Sequence, residues 1–529
     1  MDAAHEGAAP SSGPPMLRAT GRSPRIDRWG IHEAFRFLTR ITAPARMVSM
    51  SRAVVWFRDD LRVHDNEPLA AAVGGHETVI PAYVFDSRQY EEGMFGLEKK
   101  GSRWARFRRE SVEDLQASLR DRGGDLLVRQ GDPTEEIPAI ADSYDAAAVY
   151  CQTKPGGQEL EAENTVRARL ADQGRQLNRS WTHTLYHLND LPTHYDDIRD
   201  TFTPWRKEVE NRAFVRDQIG TPPAIDTPEF AADQTAIPTL SALGREPTSA
   251  DERGVLPFEG GEERGIERIQ QYFWEQDNLR SYKSTRNGLL GADFSSKLSA
   301  WLAHGCLSPR YINAEVDRYE DERVSNQDTY WLIFELLWRD FYQFQLLKYG
   351  KDFFEIDGIR GVEKDWRAAE SPDTREAFDR WAAGETGVPF VDANMRELNQ
   401  TGYMSNRGRQ NVASFLADAL QIDWRLGASY FESRLVDYEM ASNWGNWAYN
   451  AGVGNDSRDN YFNVLGQGDR YDGEAAYVKH WLPSLEALPT EYAHQPWRMS
   501  QEEQAAHGVE LGIDYPAPMI DIEARYKAL

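Results

Sequence analysis

A two-part fold is what this sequence predicts: an α/β N-terminal domain built as a doubly wound parallel sheet, followed by an all-α C-terminal domain. Three observations carry that reading. Five short apolar, β-rich runs alternate with helical stretches between about residues 50 and 185. A stretch rich in Pro, Asp, Glu and Gly follows. Beyond about Gly265 the apolar spacing turns helical almost throughout, and eleven of the sixteen Trp lie past Gln270. Strands alternating with helices imply a parallel sheet with right-handed crossovers.

Taken in order, residues 1–50 differ in composition from the rest. Arg18, Arg22, Arg25, Arg28, Arg36, Arg40 and Arg46 meet few acids behind a Pro/Ser/Gly-rich opening. We expect a disordered extension, or translated upstream sequence ahead of a start at Met47 or Met50; a transit peptide is the lesser reading. The expected strands are Ala53–Phe57, Thr78–Phe85, Asp125–Gln130, Ala146–Gln152 and Gln176–His183. Between the second and third, Gly101 to Arg122 places apolar residues three and four apart, as a helix does. These elements make a domain over residues 51–190. No GxGxxG follows the first strand, so a dinucleotide site there has no support. Residues 191–265 read as a connector over the surface, 266–490 as the helical domain and 491–529 as a C-terminal tail.

Composition excludes several classes. The 529 residues are 40% hydrophobic and 12% aromatic, enough to bury a large core. Only Cys151 and Cys306 occur, too few for a disulfide framework and unable to supply the four ligands of an iron–sulfur cluster. A reducing cytoplasm is the expected compartment, and no metal site is expected. No apolar run approaches the roughly 20 residues of a membrane span. Net charge is −25, and only 11 of the 60 basic residues are Lys. That acidic, Arg-dominated balance suits solubility in concentrated salt and opposes nucleic acid approaching from a distance, so any such contact must be local.

The chemistry-bearing residues fall in the helical half. Tyr282 to Arg310 is a hydroxyl-rich loop feeding a helix, in which Ser295, Ser296, Lys297, Leu298 and Ser299 offer hydroxyls, backbone N–H groups and a cation to a pyrophosphate; an ordinary Ser N-cap is the bland alternative. In FELLWRDFYQF (Phe334 to Phe344), Glu335, Trp338, Arg339 and Tyr342 share one helix face. From Thr401 to Tyr471, Arg, Asp and Asn are interleaved with Trp and Tyr, a mixture suited to a flavin with an electron path.

The runs SNRGRQNVASFLADAL and SNWGNWAYNAGVGND, with the segment ending in LSPR, resemble the cryptochrome/photolyase family, and within it the DASH branch, over about residues 52 to 485. The resemblance implies FAD in the helical domain, held by Tyr282, Ser295 to Ser299, Asn406, Arg409, Asp437 and Asn443, with Arg339 facing flavin or DNA. Glu439 stands where the family usually has Asp. Arg409 with Asp437 matches the pair that holds the charge of a reduced flavin; a structural ion pair is the other reading. Asn443 matches the residue facing flavin N5, where an amide hydrogen-bonds without supplying a proton. Trp447, Trp424 and Trp366 match an electron-transfer chain, against core packing as the alternative.

On the substrate side the resemblance implies that Trp338 stacks on a flipped pyrimidine dimer and Glu335 hydrogen-bonds its base. Arg286, Lys297, Tyr342, Arg407, Tyr449 and Gln467 complete a DNA-facing surface, with Tyr449 standing where other photolyases carry Trp. Gln158 and Glu159 fall where a folate antenna, 5,10-methenyltetrahydrofolate, binds in relatives that carry one; a solvated acidic helix start is an equal reading. The expected activity is blue-light-driven repair of cyclobutane pyrimidine dimers, chiefly in single-stranded DNA, by a monomer. The rival is a blue-light photoreceptor using the same flavin.

Overall fold

The computed structural model describes residues 49–456 and 461–529. The reading of residues 1–50 as an extension falls outside that range, save for residues 49 and 50, which open the first strand. Five parallel strands form one sheet: β1 (Ser49–Phe57), β2 (His76–Asp86), β3 (Leu127–Gly131), β4 (Ala146–Gln152) and β5 (Gln176–Ser180). Their spatial order is β3-β2-β1-β4-β5. In the central strand, Val54 pairs with Ile80 on one side and Val149 on the other. Central parallel strands are covered on both faces, which is why Ala53, Val54 and Val55 are all fully buried rather than alternating.

Helices α1 (Glu67–Gly75), α2 (Ser102–Arg120), α3 (Pro133–Ser143) and α4 (Gly157–Asp172) make the crossovers. Two carry plain start signals. Asn66 accepts from Leu69 N ahead of Pro68, and Asp132 accepts from Thr134 N ahead of Pro133.

Beyond shifts of a few residues at the ends of β1, β2 and β3, two differences from expectation bear on the site. β5 stops at Ser180 instead of running to His183, because the next residues leave the sheet for the helical half, where Leu185 N and Tyr186 N each donate to Asp340 at 2.9 Å. Within the expected connector sits an 11-residue helix, α5 (Phe202–Arg212), that buries Phe202, Trp205 and Val209. Those three share a helical face, a signal overshadowed by the Pro- and Asp-rich surroundings.

The helical half comprises α6 (Glu262–Ile269), α7 (Pro309–Glu322), α8 (Gln327–Tyr349), α9 (Pro372–Ala383), α10 (Pro389–Thr401), α11 (Asn406–Ser414), α12 (Trp424–Arg434), α13 (Met440–Asn450) and α14 (Val464–Tyr471), with shorter turns between them and beyond. The residues after 490 pack onto this half. Met519 N donates to Thr386 O at 2.9 Å, Arg525 donates to Asp418 O at 2.6 Å, and Tyr526 stacks on Tyr461 at 5.5 Å.

The loop after β1 latches the halves together. Arg310 forks onto Asp65 at 2.7 and 2.9 Å, and the Ser308 hydroxyl caps α7 while donating to the same carboxylate. Arg62 donates to Gly305 O at 2.8 Å. Gly305 has φ +73°, and a Cβ there would overlap the carbonyl of Asp59. The SPR of LSPR therefore serves the latch, at the far end of the segment whose beginning lines the cavity described next. No helix of the described residues is long and apolar enough to cross a membrane.

Candidate functional site

Helix α8 supplies one wall of a cavity of about 380 Å³, a volume in the range of cofactor and ligand pockets. Glu335, Trp338, Arg339 and Tyr342 all line it, as their spacing on one helix face requires. A second wall is the loop that brings Ser295, Ser296, Lys297, Leu298 and Ser299 beside the buried Tyr282. The third comes from α11 and the approach to α13, with Asn406, Arg409, Asp437 and Glu439.

The loop is braced from behind. Arg268 donates to Ser296 O at 3.0 Å, Ala292 O at 2.9 Å and Ser295 O at 3.2 Å. Lys297, held at φ +56°, is only 3% exposed, with its Nζ over the Phe294 ring and without a hydrogen-bond partner. Burial, reinforced by the neighbouring Arg268 cation, pushes its pKa down to about 7. A buried amine with no hydrogen-bond partner, on the wall of a cavity with three serines, fits a diphosphate. The helix beyond, Ser299–Ala303, is a single turn, so hydroxyls and Lys297 carry this fit rather than a helix dipole.

Two ion pairs floor the cavity. Arg409 places one Nη 2.9 and 2.8 Å from the two oxygens of Asp437 and anchors its Nε on Met404 O at 2.9 Å. Arg339 donates to Glu439 at 2.6 Å and to His183 O, while Ser442 donates to the other Glu439 oxygen at 2.7 Å. Glu439 is thus committed to Arg339 and Ser442, and the side chains of the Arg339–Glu439 pair are only 10% and 8% exposed.

At the wider end, Glu335 pairs with Arg286 at 2.6 Å; burial raises its pKa, and Arg286 counters the shift. Trp338 stacks on Phe202 at 3.7 Å, with the Tyr449 ring edge-on at 6.4 Å. Arg407 lies outside the lining. It donates to Asn287 at 3.1 Å and reaches Gln467 at 3.5 Å across the Tyr471 ring.

A smaller cavity of about 80 Å³ shares Asn406, Arg409, Asp437 and Glu439 and adds Asn443 and Trp447. Asn443 Nδ2 donates to Ala428 O at 3.0 Å. Trp447 packs over Gly427, where a Cβ would overlap its ring.

Models of two family segments match the chain: DNA photolyase over residues 53–227 and the FAD binding domain of DNA photolyase over 331–529. The chain is 60% identical over 480 residues to the Cryptochrome DASH of Natronomonas pharaonis, covering 91% of this chain and all of that one. The chain belongs to the cryptochrome DASH family. Among solved structures, a cryptochrome of Synechocystis sp. PCC6803 has TM-score 0.87 at 46% identity, covering 91% of this chain and 99% of that one. A class III photolyase from Agrobacterium tumefaciens has TM-score 0.78 at 28% identity, covering 92% and 99%. The haloarchaeal relative agrees with the acidic, Arg-dominated surface of this DASH chain.

Family membership makes this half an FAD-binding domain, and the orphaned Lys297 amine beside the serine loop is what fits its diphosphate. The three tryptophans expected as a chain are differently placed. Trp447 lines the smaller cavity; Trp424 is fully buried, donates to Ile356 O at 3.0 Å and meets Trp444 at 5.6 Å. Trp366 is half-buried under Lys364 and hangs beside Trp424's segment through Arg367 N donating to Gln421 O. The rings nearest Trp447 are Phe431 at 5.0 Å and fully buried Trp381 at 6.1 Å. Trp381 and Trp444 were not singled out in the sequence; Trp444 sits three before Trp447, but nothing local marks Trp381.

A third cavity, about 50 Å³, lies where the N-terminal half meets the helical half, lined by Lys100, Trp104, Lys154, Glu159, Tyr438 and Glu439 among others. Glu159 Oε2 is buried there without a partner, whereas its neighbour Gln158 is exposed on the first turn of α4. Only Glu159 of that expected pair lines the cavity. No group of three or more His, Cys, Asp or Glu among the described residues could hold a metal ion.

Proposed function

We propose that the chain is a blue-light-driven photolyase that splits cyclobutane pyrimidine dimers, preferring single-stranded DNA, with the helical cavity as both flavin and lesion site. The observation that carries this is continuity: Ser295 to Ser299, Arg409 and Asp437 share one cavity with Glu335 and Trp338. Reduced FAD held there would supply the chemistry, an electron lent to the dimer under light and returned once the ring has opened, with no net redox change.

The chain's own residues divide the remaining work. Lys297 and the serines hold the diphosphate, and Arg409 with Asp437 holds the ring system. Asn443, its amide engaged by Ala428, offers its carbonyl oxygen as an acceptor at N5. Trp338 stacks on the flipped lesion, which at about 1–3 kcal/mol per base offsets much of the unstacking cost. Glu335, paired with Arg286 at 2.6 Å, hydrogen-bonds the thymine base. Arg286 with Arg407 meets flanking phosphates. Tyr449 gives a smaller wall than Trp would, which favours a strand whose base flips at low cost. Trp447, Trp424 and Trp366 carry electrons for photoreduction of resting flavin, with Trp381 as a branch at ring contact with Trp447. Glu159, whose Oε2 is buried without a partner in the third cavity, would anchor one polar group of a folate-type antenna, since about 50 Å³ admits only part of such a molecule. The protein works as a cytoplasmic monomer.

The test is dimer loss under blue light from thymine-dimer oligonucleotides, single-stranded and duplex in parallel at high salt. Loss in the single strand alone is the expected result. Loss in both would remove the strand preference. No loss in either, with FAD bound and photoreducible, would overturn repair in favour of a photoreceptor.

A further inference from the structure

Trp338 lines the large cavity, yet only one of its faces can meet a ligand. The other is covered by Phe202, whose ring lies 3.7 Å away at 10° to the indole plane. Phe202 is 6% exposed and is not part of the cavity lining, so it sits behind Trp338. It opens α5, where it is buried together with Trp205 and Val209.

The backing ring is itself fixed. Phe334 and Phe341 stand edge-on to it at 5.2 and 5.7 Å. One turn along, Arg206 donates to Glu210 at 2.6 Å and to the Tyr330 hydroxyl, and Tyr330 donates to Glu210, which ties α5 to α8. Trp338 is then held between Phe202 behind and Phe341 at 84° beside it.

We propose that Phe202 is a positioning residue for lesion recognition: by lying flat on the rear face of Trp338, it fixes the plane on which the flipped pyrimidine stacks. This rests on the reading of the cavity as a dimer site. An aromatic platform free to change rotamer must be immobilised when a base settles on it, and that cost weakens binding. A stacked backing ring removes the cost before substrate arrives. It acts on the flipped base alone, because phosphate contacts from Arg286 and Arg407 do not pass through Trp338.

The test measures binding of a single-stranded oligonucleotide carrying one thymine dimer, and of the same strand undamaged, to the full-length FAD-loaded protein. The variants are Phe202→Ala, Phe202→Leu, which keeps bulk but not flatness, and Trp338→Ala. Phe202→Ala is expected to weaken dimer binding by about three- to tenfold, the immobilisation cost of one side chain. Undamaged-strand affinity, flavin content and photoreduction rate stay at wild-type values, and Phe202→Leu weakens dimer binding by a smaller factor. Equal weakening for both strands, unchanged dimer affinity in Phe202→Ala, or loss of flavin from Phe202→Leu would each make Phe202 a packing residue and overturn the proposal. If Trp338→Ala itself keeps full discrimination, the dimer-cavity reading fails and takes this inference with it; if Trp338→Ala loses discrimination while the Phe202 variants keep it, only this inference fails.

Discussion

Lys297 shows how one side chain can tie cofactor loading to pH. Its amine is buried without a hydrogen-bond partner, and burial pushes its pKa down to about 7. The groups facing it are the Arg268 cation, the Asp293 carboxylate and Glu397, a buried carboxyl pushed up to about 8 by desolvation and bonded to Tyr477. A bound diphosphate favours the ammonium form, so binding takes up a proton above pH 7. The FAD dissociation constant should therefore rise with pH above about 7, by at most about tenfold per unit for one proton. Lys297→Met should weaken binding at pH 6 and flatten the profile, as flavin fluorescence titration would read; an unchanged profile would remove Lys297 from the linkage. A second expectation concerns Trp447, which lines the smaller cavity. Trp447→Phe should block photoreduction of oxidised flavin while leaving dimer repair intact in chemically reduced protein. Repair lost together with photoreduction would give Trp447 a different role.

At the scale of elements, the latch after β1 concentrates several contacts in few residues. Gly305 combines a left-handed backbone with a carbonyl where a Cβ would have to sit. Gly305→Ala should destabilise by at least about 2 kcal/mol, combining backbone strain with a steric shift, seen as a lower thermal midpoint by calorimetry. An unchanged midpoint would mean the loop after β1 yields freely. Which elements the sequence made legible follows from how local their signals are. β1, β2 and β4 stand out because a doubly covered strand is nearly continuously apolar, while the edge strands β3 and β5 carry polar residues and rest on shorter signals; α8 stands out because four cavity-lining residues repeat at helical steps. α5 was hidden by composition, although Phe202, Trp205 and Val209 keep helical spacing. The end of β5 depends on Asp340, 155 residues away along the chain from Leu185, and no local pattern could report it. The same holds for the site. Residues on one helix or one loop were readable together, whereas Phe202 behind Trp338, Trp381 beside Trp447 and Arg268 behind Lys297 are contacts made only by the fold.

For the molecule as a whole, the proposed repair activity requires a charge of −25 to coexist with a polyanionic substrate. The cations near the cavity mouth are few: Lys283 over Trp331, Arg286 on Glu335 and Arg407 on Asn287. With about three phosphates neutralised, log affinity for a single strand should fall with log salt at a slope near −2. A basic-surface repair enzyme would fall more steeply, and a measured slope beyond about −5 would show a larger phosphate footprint than this mouth provides. Shallow dependence is what allows lesion binding in concentrated salt, where the flipped-base pocket rather than counterion release carries affinity. The same scarcity of lysine has a use at the bench. Only eleven amines of this kind are spread over 529 residues, and one of them, Lys297, lies on the wall of the large cavity with its pKa pushed down to about 7 by burial. A small acylating or reductive-alkylating reagent at pH 7 should thus mark the exposed lysines first and Lys297 only as fast as its loop opens, so that peptide mass mapping of this one late modification, slower still with flavin bound, would read out cofactor occupancy without any optical signal.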